Sequence, residues 1–98
     1  MKACVIIPAR FHSSRFPGKP LVKLNGKEMI LWVAEICSKA VDVSNVFVAT
    51  DDQRISDLVS QKGFQGIITS PDLLTGTDRV AQASKTLDYD IYVNVQGD

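Results

Sequence analysis

The sequence has little of the material that metal centres, disulfide scaffolds and membrane spans require. It contains a single histidine, His12, and two cysteines, Cys4 and Cys37, which lie in apolar surroundings on different predicted elements. A Cys/His zinc cluster is therefore excluded, and a Ser-His-Asp triad has no support. We interpret both cysteines as reduced core residues of a cytoplasmic protein. No apolar run approaches the roughly 18–20 residues that span a bilayer, so we expect no membrane association.

The phosphate-binding motifs of the common nucleotide folds are also missing. Neither G-x-x-x-x-G-K-[ST] nor G-x-G-x-x-G occurs, so the sequence lacks the motifs that usually indicate a hydrolytic NTPase or a dinucleotide-binding enzyme. The net charge is zero, yet residues 9–27 carry five cations and no acid, whereas residues 28–98 carry eleven acids and five bases. A basic helix face does not extend beyond this segment, which argues against nucleic acid as a partner. The charge distribution instead favours a small anionic ligand.

Strands and helices alternate along the 98 residues, a length that suits one small domain or part of a larger one. The predicted strands cover residues 2–7, 45–49, 66–69 and 91–95. The predicted helices cover residues 28–40, a segment from about 53 to a C′ residue at Gly63, and residues 78–87. This order predicts an α/β fold with a three-layer, mostly parallel, Rossmann-like sheet.

Local patterns give more detailed expectations for the helices. The spacing in the first helix predicts one buried stripe, which includes Trp32 as a core residue and consists of Met29, Trp32, Val33, Ile36, Cys37 and Ala40. Asp51 or Thr50 is the expected N-cap of the second helix, and Thr77 that of the third. Asn25-Gly26 predicts a tight turn.

A cationic loop follows the first strand, between residues 8 and 21. It contains Arg10, Arg15 and Lys19 on non-helical backbone, where several cations can surround one polyanion. Prolines restrict the loop, and Gly18 would let its backbone approach a ligand closely. A solvated basic loop is the alternative, but solubility does not require two prolines and a glycine around the lysine.

Polar residues follow the ends of all four predicted strands, and ligands of parallel α/β sheets bind at that rim. Asp98, just past the last strand, is suited to hold Mg²⁺ against phosphate oxygens. An aspartate in an ordinary turn after a strand would show the same pattern, so this alternative stays open. Arg79, at the start of the third helix, could reach a nucleotide. The sequence is equally consistent with a surface arginine at the start of an ordinary capped helix.

These motifs together resemble the 3-deoxy-manno-octulosonate cytidylyltransferase (CMP-Kdo synthetase) family over essentially the whole chain. The matching segments, in the family's order and spacing, are residues 5–10, 14–21, 25–27, 48–52, 75–79 and 93–98. The resemblance implies a fold of the nucleotide-diphospho-sugar transferase type. It also implies transfer of a cytidylyl group from CTP to Kdo, with release of pyrophosphate, for lipopolysaccharide synthesis.

The resemblance assigns roles to individual residues. Arg10, Arg15 and Lys19 would grip the CTP phosphates, with Arg10 and Lys19 acting in catalysis, and Asp98 would bind Mg²⁺. Substrate contacts would come from Arg15 and Gln96. The implied nucleotide-binding residues are Ala9, Arg10, Arg15, Lys19, Thr75, Gly76, Arg79 and Gln96. The implied substrates are CTP and Kdo, and the implied protein is a cytoplasmic homodimer.

The family's enzymes are considerably longer than this sequence. We therefore expect residues 1–98 to be the N-terminal, CTP-binding part of a single nucleotidyltransferase domain, inactive without the sugar pocket and second metal ligand. Two other cytidylyltransferases are alternatives. CMP-sialate synthetases usually carry R-x-G-S-K where this chain has Arg15-Phe16-Pro17-Gly18-Lys19. Spore-coat types share the loop but match residues 75–79 and 96–98 less well. A non-catalytic nucleotide-binding module is a third alternative.

Overall fold

A computed structural model describes residues 1–11 and 18–96 of the protein. The strands are β1 (Ala3–Pro8), β2 (Lys23–Leu24), β3 (Lys27–Glu28), β4 (Val46–Thr50), β5 (Gln65–Ile68) and β6 (Ile91–Asn94). The helices are α1 (Met29–Cys37), α2 (Gln53–Gln61) and α3 (Gly76–Ser84), and short 3-10 helices cover Lys19–Leu21 and Val43–Asn45. Within the described ranges, these helices lack the length and apolar character needed to cross a membrane.

Four strands form one parallel sheet in the order β5-β4-β1-β6. In its register Val5 lies between Val46 of β4 and Val93 of β6. The two central strands are almost continuously buried, as their unbroken apolar sequences predict for strands covered on both faces. The predicted parallel α/β sheet is therefore confirmed, with strand ends that differ from the predicted ends by at most one residue.

The sheet separates two hydrophobic clusters, because alternate residues of a strand point to opposite faces. Val5 and Ile7 pack in the cluster that includes Ile30 of α1 and Ile55 of α2. On the other face, Cys4, Ile6, Phe47 and Ala49 pack with Ala83 of α3. The fold thus has the three layers that the sequence predicts, and full burial of one such aliphatic side chain contributes about 1.5–3 kcal/mol.

The buried face of α1 differs from the predicted stripe. Ile30, Leu31, Ala34 and Cys37 are buried, whereas Trp32 is 37% exposed and Ile36 is 64% exposed. The helix is apolar on nearly every side, so its periodicity alone could not select the face that meets the sheet. The assignment of Trp32 to the core is therefore wrong, and so is the extension of the helix to Ala40.

The position of Trp32 is explained by the hairpin that precedes α1. Strands β2 and β3 pair in antiparallel fashion through the predicted turn, in which Asn25 and Gly26 both have positive φ. The indole Nε1 of Trp32 donates to the Leu24 carbonyl oxygen at 2.9 Å, and the Lys27 ammonium lies 4.2 Å from the ring centre. Trp32 therefore fastens the hairpin to α1 at the surface, where its N–H has a partner.

The N-caps of α2 and α3 also differ from the predictions. Asp52, rather than Asp51 or Thr50, caps α2 by accepting from the Arg54 backbone N–H at 2.8 Å. Helix α3 begins two residues earlier than predicted, and Thr75, not Thr77, accepts from the Asp78 backbone N–H. At the other end of α2, the predicted C′ residue Gly63 has φ 93°, as that role requires.

Both cysteines are free thiols within the hydrophobic clusters, and burial raises the pKa of Cys4 and of Cys37. Since the thiolate is the reactive form, we expect neither thiol to react measurably with a disulfide reagent in the native protein at neutral pH. The same reagent should modify both in urea, which provides the control. Rapid modification of the native protein would contradict the burial of these side chains.

Candidate functional site

A cavity of about 160 Å³ opens at the rim where the predicted polar segments meet. It brings together seven residues singled out from the sequence, namely Ala9, Arg10, Lys19, Thr75, Gly76, Arg79 and Gln96. Pro8, Pro20 and Leu74 complete its lining. The carboxyl end of β1 forms one wall and the N-terminus of α3 another. Arg15 and Asp98 lie outside the described residues, as does His12, so the predictions for Arg15 and Asp98 stay predictions.

The end of β1 fixes the first cation of the cavity. Ala9 is buried, and its N–H donates to the Ala49 carbonyl oxygen at 2.8 Å, which continues the pairing of β1 with β4. A ligand can therefore meet the methyl or carbonyl group of Ala9, but not a free N–H. Arg10 follows immediately and is exposed. The sheet thus places the Arg10 backbone firmly while its side chain stays accessible to an anion.

A set of contacts closes the base of the cationic loop. The Gly18 N–H donates to the Phe11 carbonyl oxygen at 2.7 Å, and the Phe11 N–H donates to Asp51 Oδ1 at 3.0 Å. The guanidinium of Arg54 lies 4.1 Å from the centre of the Phe11 ring. Asp51, which the sequence suggested as a helix cap, instead anchors this loop. Lys19 follows Gly18 directly, so these contacts set where the second cation enters the cavity.

Gly18 meets an internal requirement of the fold, and the predicted close approach of its backbone to a ligand stays a prediction. Its φ is 76°, and a Cβ there would lie 3.1 Å from Phe11 Cε2. Gly18→Ala should therefore lower the free energy of unfolding by about 2 kcal/mol, through left-handed strain and overpacking. Gly26→Ala is the matched control, since its φ is 79° but nothing lies within 4 Å of its added Cβ. If urea denaturation gave the same loss of unfolding free energy for both variants, the contact with the Phe11 ring would contribute nothing.

Arg79 is the third cation of the cavity, and it is only 2% exposed. Its Nη1 donates to Thr69 Oγ1 at 2.6 Å and to the Ser70 carbonyl oxygen at 3.1 Å. Its Nη2 is buried and has no hydrogen-bond partner within residues 1–11 and 18–96. Burial lowers the pKa of Arg79, the negative charge of Asp51 partly offsets this, and the positive charge of Arg10 adds to it. The surface reading of Arg79 is therefore wrong.

The start of α3 lies unusually close to β1 and to Gln96. A Cβ on Gly76 would lie 3.1 Å from Gln96 Oε1 and 3.2 Å from Pro8 Cγ, so a larger residue would displace one of these side chains. The Thr75 hydroxyl already accepts from the Asp78 N–H as the helix cap. Gly76 therefore allows the positive end of a helix to form part of the cavity wall, where it favours an anion.

The arrangement suits a ligand with several negative charges. Arg10, Lys19 and Arg79 line one small cavity, and one buried donor nitrogen of Arg79 has no acceptor among the described residues. Over the described part of the chain, no three His, Cys, Asp or Glu side chains are grouped as a metal site would need. The three cations of the cavity are suited to bind an anionic chain and to neutralise its charge.

Three contributors to the site were missed by sequence reasoning. Thr69, Ser70 and Phe11 hold other site groups in place, and each does so through a contact distant in sequence. The only signal available was that polar residues follow β4 and β5 at the binding rim. That signal marks the region, but it does not say which side chain accepts from Arg79.

Known proteins match this chain over its whole length. A 3-deoxy-manno-octulosonate cytidylyltransferase of Trichlorobacter lovleyi is 54% identical over 100% of the chain and 39% of the relative. An 8-amino-3,8-dideoxy-manno-octulosonate cytidylyltransferase of Shewanella sp. (strain W3-18-1) is 50% identical over 100% of the chain and 41% of the relative. The chain thus spans about two-fifths of the length of these curated relatives.

Solved structures and a family model agree with these relatives. The structure of a CMP:2-keto-3-deoxy-manno-octonic acid synthetase complexed with CTP superposes with a TM-score of 0.87 at 44% identity, over 100% of this chain and 41% of the other. The family model described as cytidylyltransferase matches residues 4–98. Since that match covers nearly all of the sequence, the chain belongs to the cytidylyltransferase family.

Proposed function

We propose that the complete product of this gene transfers a cytidylyl group from CTP to the anomeric hydroxyl of 3-deoxy-D-manno-octulosonate. The hydroxyl oxygen forms a bond to the α-phosphorus, the bond from that phosphorus to the bridging oxygen breaks, and pyrophosphate leaves with the electron pair. The hydroxyl proton is lost to water, and CMP-Kdo is formed. The observation that carries this proposal is the 44% identity, across the whole chain, to a synthetase whose structure contains CTP.

The geometry of the cavity supports the nucleotide half of this reaction. Arg10 and Lys19 both line it, Arg15 lies between them in the sequence, and the three would neutralise the triphosphate during transfer. Such reactions depend on positioning and charge stabilisation more than on covalent catalysis. We assign catalytic roles to Arg10 and Lys19 because charge builds up on the departing pyrophosphate.

The remaining contacts follow from the walls of the cavity. Ala9, Thr75, Gly76 and Arg79 would lie along the cytidine, and Gln96 would face the sugar or the nucleotide. The amide of Gln96 donates to Asn94 Oδ1 and lies beside Gly76, which keeps this side chain at the cavity wall. Arg15 would also contact the sugar acid.

Asp98 is the proposed protein ligand for Mg²⁺. One aspartate carboxylate combined with phosphate oxygens is a donor set that this hard cation accepts, so the residue type fits the group. When bound, Mg²⁺ supplies further neutralisation of the phosphate charge. The proposal extends to a cytoplasmic homodimer that provides an activated sugar for lipopolysaccharide synthesis.

A second acceptor sugar is also supported by a specific observation. Relatives named for 8-amino-3,8-dideoxy-manno-octulosonate are up to 50% identical to this chain, close to the identities of those named for Kdo itself. The two acceptors differ at one substituent, and the residues of the described cavity are proposed mainly for the nucleotide. Both sugars therefore belong in the test.

The deciding experiment offers CTP and Mg²⁺ to the complete gene product with one acceptor at a time. The acceptors are Kdo, its 8-amino analogue and a sialic acid, and the CMP-sugar and pyrophosphate are quantified. We expect turnover with Kdo, and a strong preference for the 8-amino sugar would favour the second acceptor. Binding of CTP without transfer to any acceptor would indicate a non-catalytic module and overturn the proposal.

A further inference from the structure

The groups that hold Arg79 are separate from those assigned to the substrates. Thr69 follows β5 directly and is 4% exposed. Its N–H donates to the Thr50 carbonyl oxygen at 2.8 Å, which fixes its backbone to the end of β4. Its hydroxyl oxygen accepts from Arg79 Nη1 at 2.6 Å. The short contact therefore connects a rigid position in the sheet to a guanidinium in the cavity wall.

A second contact holds the same nitrogen from the next residue. The Ser70 carbonyl oxygen accepts from Arg79 Nη1 at 3.1 Å, and the Ser70 N–H donates to Gln82 Oε1 at 2.7 Å. Gln82 lies on α3, one turn beyond Arg79, so the helix and the segment after β5 are connected twice. Nη1 is thus held by two acceptors, whereas Nη2 has none among the residues described.

We propose that Thr69 is a positioning residue for nucleotide binding, supported by Gln82 through Ser70. A guanidinium is planar, so holding Nη1 with two acceptors also fixes where Nη2 stands. A buried donor without a partner is costly, and an oxygen acceptor on the nucleotide would remove that cost. This inference rests on the proposed function, since it takes CTP as the ligand that completes the hydrogen bonding of Arg79.

The test replaces Thr69 with valine, which keeps the shape of the side chain and removes the hydroxyl. In the complete gene product, Thr69→Val should raise KM for CTP about tenfold, which is the scale of one hydrogen bond to a charged group. The values of kcat and of KM for the acceptor sugar should change little, and Thr69→Ser should restore KM for CTP. Thr86→Val is the control, because its hydroxyl bonds to Ala83 near the opposite end of α3.

Calorimetric titration with CTP and with cytidine separates the two sources of the acceptor oxygen. A loss of affinity for both ligands would place the acceptor on the nucleoside, and a loss for CTP alone would place it on the phosphates. Either result supports the inference. A lower melting temperature with unchanged CTP affinity would overturn it, because Thr69 would then be purely structural.

Gln82→Ala provides a second variant in case Thr69→Val does not fold, since Gln82 is only partly buried. It should raise KM for CTP about threefold, because it loosens Ser70 rather than Arg79 itself. If Thr69→Val does not fold, an unchanged KM in Gln82→Ala overturns the inference by itself. Wild-type protein that fails to bind CTP would overturn the proposed function and this inference together, whereas wild-type binding that neither variant weakens would overturn the inference alone.

Discussion

A Lys19→Met variant of the complete gene product should transfer CMP with a kcat/KM for CTP about a hundredfold below that of the wild type. Lys19 lines the cavity and begins a short 3-10 helix whose first turn is closed by the Leu21 N–H on the Gly18 carbonyl oxygen, at 2.9 Å. Its backbone is therefore placed before the substrate binds. The loss should fall largely on kcat, because negative charge grows on the leaving pyrophosphate as the reaction proceeds.

Lys23→Met is the matched control for this variant. Lys23 is the same residue type four positions further on, but it is exposed on β2 and does not line the cavity. It removes the same unit of charge from the same basic segment, so any effect of overall potential appears in both variants. A comparable loss of kcat/KM in the two variants would show that Lys19 acts through the general field. A loss below threefold in Lys19→Met would contradict its catalytic role.

The elements of the central sheet could be predicted because their sequences allow little else. Cys4 to Ile7 and Val46 to Ala49 are continuous apolar runs, and charged residues, Arg10 and Asp51, appear shortly after the strand that each run forms. A strand that is buried on both faces of a sheet is apolar at nearly every position, so such a run predicts a central strand. The cavity could be located for the same reason, since parallel strands deliver all their carboxyl ends to one rim.

The orientation of α1 could not be predicted, because the choice depends on neighbours rather than on the helix. Residues 29–34 are all apolar, and two overlapping stripes are available along them. The hairpin selects between the two stripes, because the Leu24 carbonyl oxygen offers the Trp32 indole N–H an acceptor at the surface. A polar atom on a large apolar side chain thus outweighed the gain from burying it completely.

Within the cavity, the limits of prediction lie in contacts between side chains. The sequence indicates that Arg10 and Lys19 belong together, since both lie in one short loop after β1. It does not indicate that Arg79 is buried, because that depends on acceptors ten and nine residues away, on Thr69 and Ser70. Likewise, Asp51 precedes a helix, a position typical of an N-cap, but in the structure its carboxylate accepts from the Phe11 backbone N–H.

Arg79→Met should separate stability from binding. Burying a guanidinium costs several kcal/mol, and methionine of similar length removes that cost together with Nη2, which has no partner in residues 1–11 and 18–96. Against this, Thr69 Oγ1 and the Ser70 carbonyl oxygen lose their shared donor, at about 1–3 kcal/mol for a buried acceptor. These terms are of similar size and opposite sign. The free energy of unfolding without ligand should therefore stay within about 1–2 kcal/mol of the wild type.

Affinity for CTP should nevertheless fall about a hundredfold in Arg79→Met, since a charged donor and its field are lost from the cavity wall. Urea denaturation without ligand and calorimetric titration with CTP measure the two quantities on one preparation. Lys85→Met is the control, because it removes an exposed cation just past the end of the same helix. If Arg79→Met were strongly destabilised but bound CTP normally, the guanidinium would be a structural group. If affinity and stability both fell, the buried guanidinium would serve the fold as well as the ligand.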